Sequence, residues 1–178
     1  MMYPEAYIQY LIQFHAYRDF FECHEILEDH WKEKEAGKRD KHWVGLIQVA
    51  VGLYHHRREN WRGAQKTLQN ARSILQENVY YLQHLALDTN RLIELIDERL
   101  SDILLQHPYT DMNLPITDPS LIEHCKKECN AKNVTWFAES DLNDPYIVHR
   151  HILRDRSNVT QERFKQKVLR EQKRLSWS

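Results

Sequence analysis

Glycine is scarce in this chain, with four residues, at 37, 45, 52 and 63. A backbone cradle for phosphates needs a glycine-rich loop, and neither a Walker pattern nor a Ser-His-Asp order is visible, so nucleotide-dependent chemistry is set aside. Proline is almost as rare. Four of the five lie at 108 or later, which leaves residues 5–107 free of it and rich in helix formers. That combination predicts an all-helical protein. No apolar run approaches the roughly 20 residues that a membrane span needs. The opening "MMYPEAYIQY" lacks the charged and apolar regions of a signal peptide. The cysteines are three, Cys23, Cys125 and Cys129. An odd number without an export signal suits reduced thiols, and the expected location is cytoplasmic.

Net charge is also nearly absent, at −1, so the whole chain has no bulk attraction for nucleic acid, which is not an expected partner. The average conceals an asymmetry. Residues 145–178 hold nine Lys and Arg against three Asp and Glu, and the remainder holds sixteen against 23. An acidic body with a basic tail can associate with a second copy, so a homodimer is one reading of this pattern.

The expected fold is all-α, an up-and-down helical bundle with a C-terminal helical extension. A first helix runs from about Pro4 to Tyr17 with Tyr7, Tyr10, Leu11 and Phe14 on one side. Asp19 caps a second, over about 19–35. A third, about 40–58, contains "WVGLIQVAVGLY" and is apolar nearly all round, as befits the middle of a bundle. After a break at Asn60, "WRGAQKTLQNARSILQENVYYLQ" resumes helical spacing, and Asp88 caps a fifth helix over about 89–106. Asp118 and Pro119 start a short helix with Cys125 and Cys129, which read as packed cysteines. The division expected is a bundle core at 1–110, a proline-containing linker with a short helix at 111–144, and a basic tail at 145–178, helical from about 159 to 174.

The stretch "FFECHEILEDHW", Phe20 to Trp31, raises the functional question. With His24 at zero on a wheel of about 100° per residue, Trp31, Phe20, Leu27 and Phe21 fall within about 60° on either side, and Glu28 at about +40°. His24 and Glu28 are thus expected in the middle of the apolar face, on successive turns. A buried carboxylate there needs a proton, a cation or donors. On the third helix Gln48 and His55 share a face, and Gly52 between them leaves room for a neighbouring helix or a ligand. Antiparallel packing of the two helices would let His24, Glu28, Gln48 and His55 converge. Imidazole and carboxylate on successive turns, completed from a second helix, can ligate a divalent metal such as Zn, Mn or Fe. Glu25 beside them could then serve as a catalytic base toward metal-bound water. The other reading is a structural hydrogen-bond network: His24 to Glu28, Gln48 to a carboxylate, the Trp31 indole to a carbonyl.

"FFECHEILEDHWK", then "GLIQVAVGLYHH", then "NWRGA" resembles the bacterial and archaeal family known as domain of unknown function 309. The resemblance is close over about Pro4 to Leu75. Its hallmark His-x-x-x-Glu-x-x-Trp is matched by His24, Glu28 and Trp31. The resemblance implies an all-helical fold, a hallmark suspected of binding metal, and no known reaction. One departure is Glu59, where members often carry a glycine before Asn60, so that turn is expected to be built differently. Two function classes remain open: a metal or small-ligand binder, with hydrolysis as one outcome, and a non-catalytic interaction protein whose polar cluster is structural.

Overall fold

The computed structural model describes residues 3–153. Residues 3–148 form one compact unit, and 149–153 belong to a second. The expected helix at 159–174 lies outside the described residues. Helices α1 (Glu5–Ile12), α2 (Phe20–Lys32), α3 (Lys41–Arg57), α4 (Trp61–Gln76), α5 (Val79–His84), α6 (Thr89–Leu104), α7 (Pro119–Ala131), α8 (Pro145–Val148) and α9 (Arg150–Leu153) follow in order. Among the described residues there is no strand, only an isolated antiparallel bridge between Leu87 and Ile116. No described helix is long and apolar enough to cross a membrane.

The helices begin where short acceptors can cap them. Asp19 accepts from Glu22 N, Asn60 from Gly63 N, Asp88 from Arg91 N and Asp118 from Ser120 N, each satisfying a first-turn N–H that has no partner inside the helix. Their ends show what the lack of glycine costs. Glu59, Ala86, Gln106 and Asn133, the residues just past α3, α5, α6 and α7, all have φ between 54° and 57°, the left-handed conformation usually given to glycine, and no glycine has positive φ. Each end is closed by paired backbone bonds, as at α3, where Glu59 N donates to His56 O and Asn60 N to His55 O. The turn before Asn60 therefore keeps the geometry glycine favours, and Glu59 adopts it against the clash of its Cβ. Glu59→Gly should stabilise the protein by about 0.5–1 kcal/mol, the relief of that clash less the extra freedom of an unfolded glycine. Urea denaturation of the two proteins measures it, and no gain would mean the left-handed turn is unstrained.

Two of the four glycines are used for packing. A Cβ on Gly45 would come within 2.5 Å of Leu75 Cδ2, and one on Gly52 within 2.5 Å of Leu68 Cγ. The room left by Gly52 is thus filled by α4, not by a ligand. Helix α3 packs against α2 on one side and α4 on the other, which accounts for its apolar character nearly all round. Its pairing with α2 is antiparallel, since Phe21 meets Tyr54 at 6.2 Å and His30 meets Trp43 at 5.1 Å between ring centroids.

Helix α1 supplies a column of buried aromatics, and Tyr7 and Tyr10 satisfy their hydroxyls by donating to the carbonyls of Leu85 and Leu46. A π-helical turn, Gln13–Tyr17, carries the chain from α1 to α2 and ends on Arg18 at φ 54°. The segment beyond α6, expected as a linker, lies within the compact unit and buries Tyr109, Met112, Leu114, Leu121, Cys125 and Cys129. Two arginines from the first helices hold it. Arg18, 2% exposed, donates to the carbonyls of Phe14, Met112 and Ala138 and to Asn113 Oδ1. Arg57 donates to Arg18 O and Ile147 O and lies 4.7 Å over the Phe20 ring. All three cysteines are free and buried, the packed state the sequence suggested.

Candidate functional site

Asp19 fixes the start of α2, and its buried positions are Phe20, Cys23 and Leu27. His24, Glu25 and Glu28 are half-buried, their side chains 30%, 28% and 33% exposed. The polar residues therefore sit at the edge of the buried face and not at its middle. The wheel placed them further in because it weighted Phe21 and Trp31 as core, whereas both are only half-buried. Water can reach the cluster, so its carboxylates do not bear the full cost of burial.

The geometry is compact. His24 Nδ1 lies 3.0 Å from Glu25 Oε1, and His24 Nε2 lies 3.7 Å from Glu28 Oε2. One ligand atom from each of the three residues lies within 4.8 Å of the others, the one such grouping of His, Cys, Asp and Glu among the described residues. Lys32, one turn further along α2, places its ammonium 3.0 Å from Glu28 Oε1. Sequence reasoning passed over Lys32, although Glu followed four residues later by Lys is the favoured helical ion-pair spacing.

The two residues of α3 fare differently. Gln48 falls between the Tyr54 and Trp43 contacts along α3, as His24 and Glu28 fall between Phe21 and His30 along α2. Its Oε1 is buried and has no hydrogen-bond partner, and the same is true of Trp31 Nε1. The indole bond that a structural network would assign to Trp31 is not made. His55 stands outside the three-residue grouping. Its Nδ1 meets Asn60 Nδ2 at 3.0 Å, across the turn that closes α3. Burial first, and then the Arg58 charge, lower its pKa and favour the neutral ring.

The chemistry open to this arrangement is that of an imidazole with two carboxylates. A neutral His24 whose Nδ1–H donates to Glu25 presents the Nε2 lone pair toward a carboxylate oxygen of Glu28. Two electron-rich atoms facing each other can share a cation, and 3.7 Å is a gap that an ion bonded to each at about 2.1 Å can bridge.

A family model described as a domain of unknown function (DUF309) matches residues 7–67. The uncharacterised protein YpuF of Bacillus subtilis (strain 168) is 47% identical over 165 residues, which cover 93% of this chain and 95% of that protein. No solved structure matches the chain.

Proposed function

We propose, for a chain that belongs to the DUF309 family and takes no reaction from that membership, that it binds a divalent metal ion through His24 Nε2 and the Glu28 carboxylate. The observation that carries this reading is the division of the His24 ring: one nitrogen hydrogen-bonded to Glu25, the other facing Glu28. Glu25 orients the imidazole, the part a carboxylate plays behind many metal-bound histidines. Gln48, with a buried acceptor oxygen that lacks a donor, suits a further oxygen ligand. His55 would join only through a movement of the turn at Asn60. The donor set, one imidazole nitrogen with carboxylate and amide oxygens, suits Zn, Mn or Fe better than Mg or Ca. When bound, such an ion supplies Lewis acidity and activates water, and hydrolysis is the reaction class that follows. In that class Glu25 would serve as the base toward water. Three buried free thiols suit a reducing compartment, and we place the protein in the cytoplasm.

A second reading rests on Lys32. Its ammonium neutralises Glu28 without any metal, and the cluster is then structural in a protein that works by binding partners. Elemental analysis by inductively coupled plasma mass spectrometry separates the two. Wild-type protein should carry close to one equivalent of metal, and His24→Ala and Glu28→Gln should lose it while keeping their helical circular dichroism. Glu25→Gln, which breaks only the bond behind the ring, should weaken metal affinity by about 10- to 100-fold. Protein free of metal after incubation with Zn²⁺ or Mn²⁺, with variants altered only in stability, would decide for the structural reading.

A further inference from the structure

Glu28 is shared. One carboxylate oxygen faces His24 Nε2 at 3.7 Å, and the other holds the Lys32 ammonium at 3.0 Å. Lys32 stands in the last turn of α2, where a cation is favoured by the carbonyl end of the helix, and its side chain is half exposed. The i,i+4 spacing from Glu28 to Lys32 is the orientation that pairs best on a helix.

We infer that Lys32 is a tethered counter-cation that competes with a metal ion for Glu28 and so sets the affinity and selectivity of the site. The inference rests on the metal reading above. A divalent ion that takes Glu28 must displace the ammonium from one oxygen or tolerate its positive charge close by. Both lower affinity for every divalent ion. The loss falls hardest on ions that depend on carboxylate oxygens alone, such as Mg²⁺ and Ca²⁺. An ion that also gains from an imidazole nitrogen is less affected, because His24 supplies a ligand that Lys32 does not contest. A lysine one turn from the site would thus act as a filter against the abundant hard cations.

Isothermal titration calorimetry with Mn²⁺ and with Mg²⁺ tests this on the full chain, using wild type, Lys32→Met and Lys32→Arg, with circular dichroism as the control for folding. Lys32→Met keeps the aliphatic stem and removes the charge, and it should tighten Mn²⁺ binding by about two- to fivefold, the equilibrium equivalent of an exposed ion pair. Its gain for Mg²⁺ should be at least as large. Lys32→Arg keeps the charge and should bind as wild type does. Binding detected in Lys32→Met alone would support the inference in its strongest form. Equal or weaker Mn²⁺ binding by Lys32→Met would overturn the role of Lys32 and leave the metal reading standing. Absence of Mn²⁺ binding in all three proteins would remove both.

Discussion

Replacing Arg18 with methionine should lower the free energy of unfolding by about 3–5 kcal/mol, the cost of leaving several buried acceptors without their charged donor. The guanidinium is 2% exposed and donates to three main-chain carbonyls and to Asn113 Oδ1. Methionine fills the same volume but donates nothing, so four acceptors lose a charged donor at once. The Met112 and Ala138 carbonyls belong to the segment after α6, so the damage should concentrate there. Typical domains have about 5–15 kcal/mol of stability in total, so the variant should stand close to unfolding at 37 °C. Urea denaturation at pH 7 gives the loss, and hydrogen exchange should show it first at residues 109–148. A change below about 1 kcal/mol would mean that apolar burial, not the guanidinium, holds the segment in place.

Mild acid should destabilise the protein nearly as much. His15 is fully buried, and burial above all lowers its pKa to about 3; Asn113 works in the opposite direction and the Arg18 charge in the same one. The ring packs against Trp136 and edge-on against Phe137, and its Nε2 has no hydrogen-bond partner to receive a proton's charge. His42, stacked on Tyr81, is lowered to about 4, again chiefly by burial. Both folded values lie below that of an unfolded histidine, so the unfolded chain takes up protons first as pH falls. The contribution is whole above about pH 6.5, declines below it, and is lost in full only once pH has passed the folded values. At pH 5 each histidine should have removed about 2 kcal/mol. Burial lowers the pKa of His55 and His56 as well, so unfolding free energies at pH 7 and pH 5 should differ by at least about 4 kcal/mol, and His15→Gln should reduce that difference by about 2 kcal/mol whatever it does to stability at pH 7. An unchanged difference in His15→Gln would show that the folded protein accommodates the charged ring.

Both of these features escaped the sequence reading, for physical reasons. Arginine and histidine are usually surface residues, and nothing local marks Arg18, Arg57 or His15 as buried. Their burial is decided by residues about a hundred positions away, in the segment that the prolines had marked as a linker. Local chemistry was readable. Asp19, Asp88 and Asp118 cap helices where expected, because an N-cap depends only on its own first turn. The π-turn at Gln13–Tyr17 and the break between α4 and α5 carry no proline or glycine, and the periodicity runs through both.

The candidate site divides along the same line. His24 and Glu28 come together because four residues make one helical turn, which any sequence shows. The bond from His24 to Glu25 runs between adjacent residues, whose directions differ by about 100°, and it depends on side-chain rotamers that no wheel contains. Gln48 and His55 depended on how α2 and α3 pack. That level is tertiary, and it separates the two: Gln48 lies between the inter-helix contacts that flank the cluster, while His55 is engaged at the end of α3.

Gly45 and Gly52 stand seven residues apart on α3, and their contacts Leu75 and Leu68 stand seven apart on α4. Two equal spacings read against each other behave like a vernier, with one setting at which both marks coincide. A slip of α4 by one turn would set each leucine against a residue that has a side chain, and both would clash together. The hairpin of α3 and α4 thus encodes its own alignment, without reference to α2, to the segment beyond α6 or to the polar cluster. In a chimera between distant relatives, this pair of helices is the natural piece to exchange whole. A crossover inside it, between Gly52 and Leu68, would combine marks ruled on different scales.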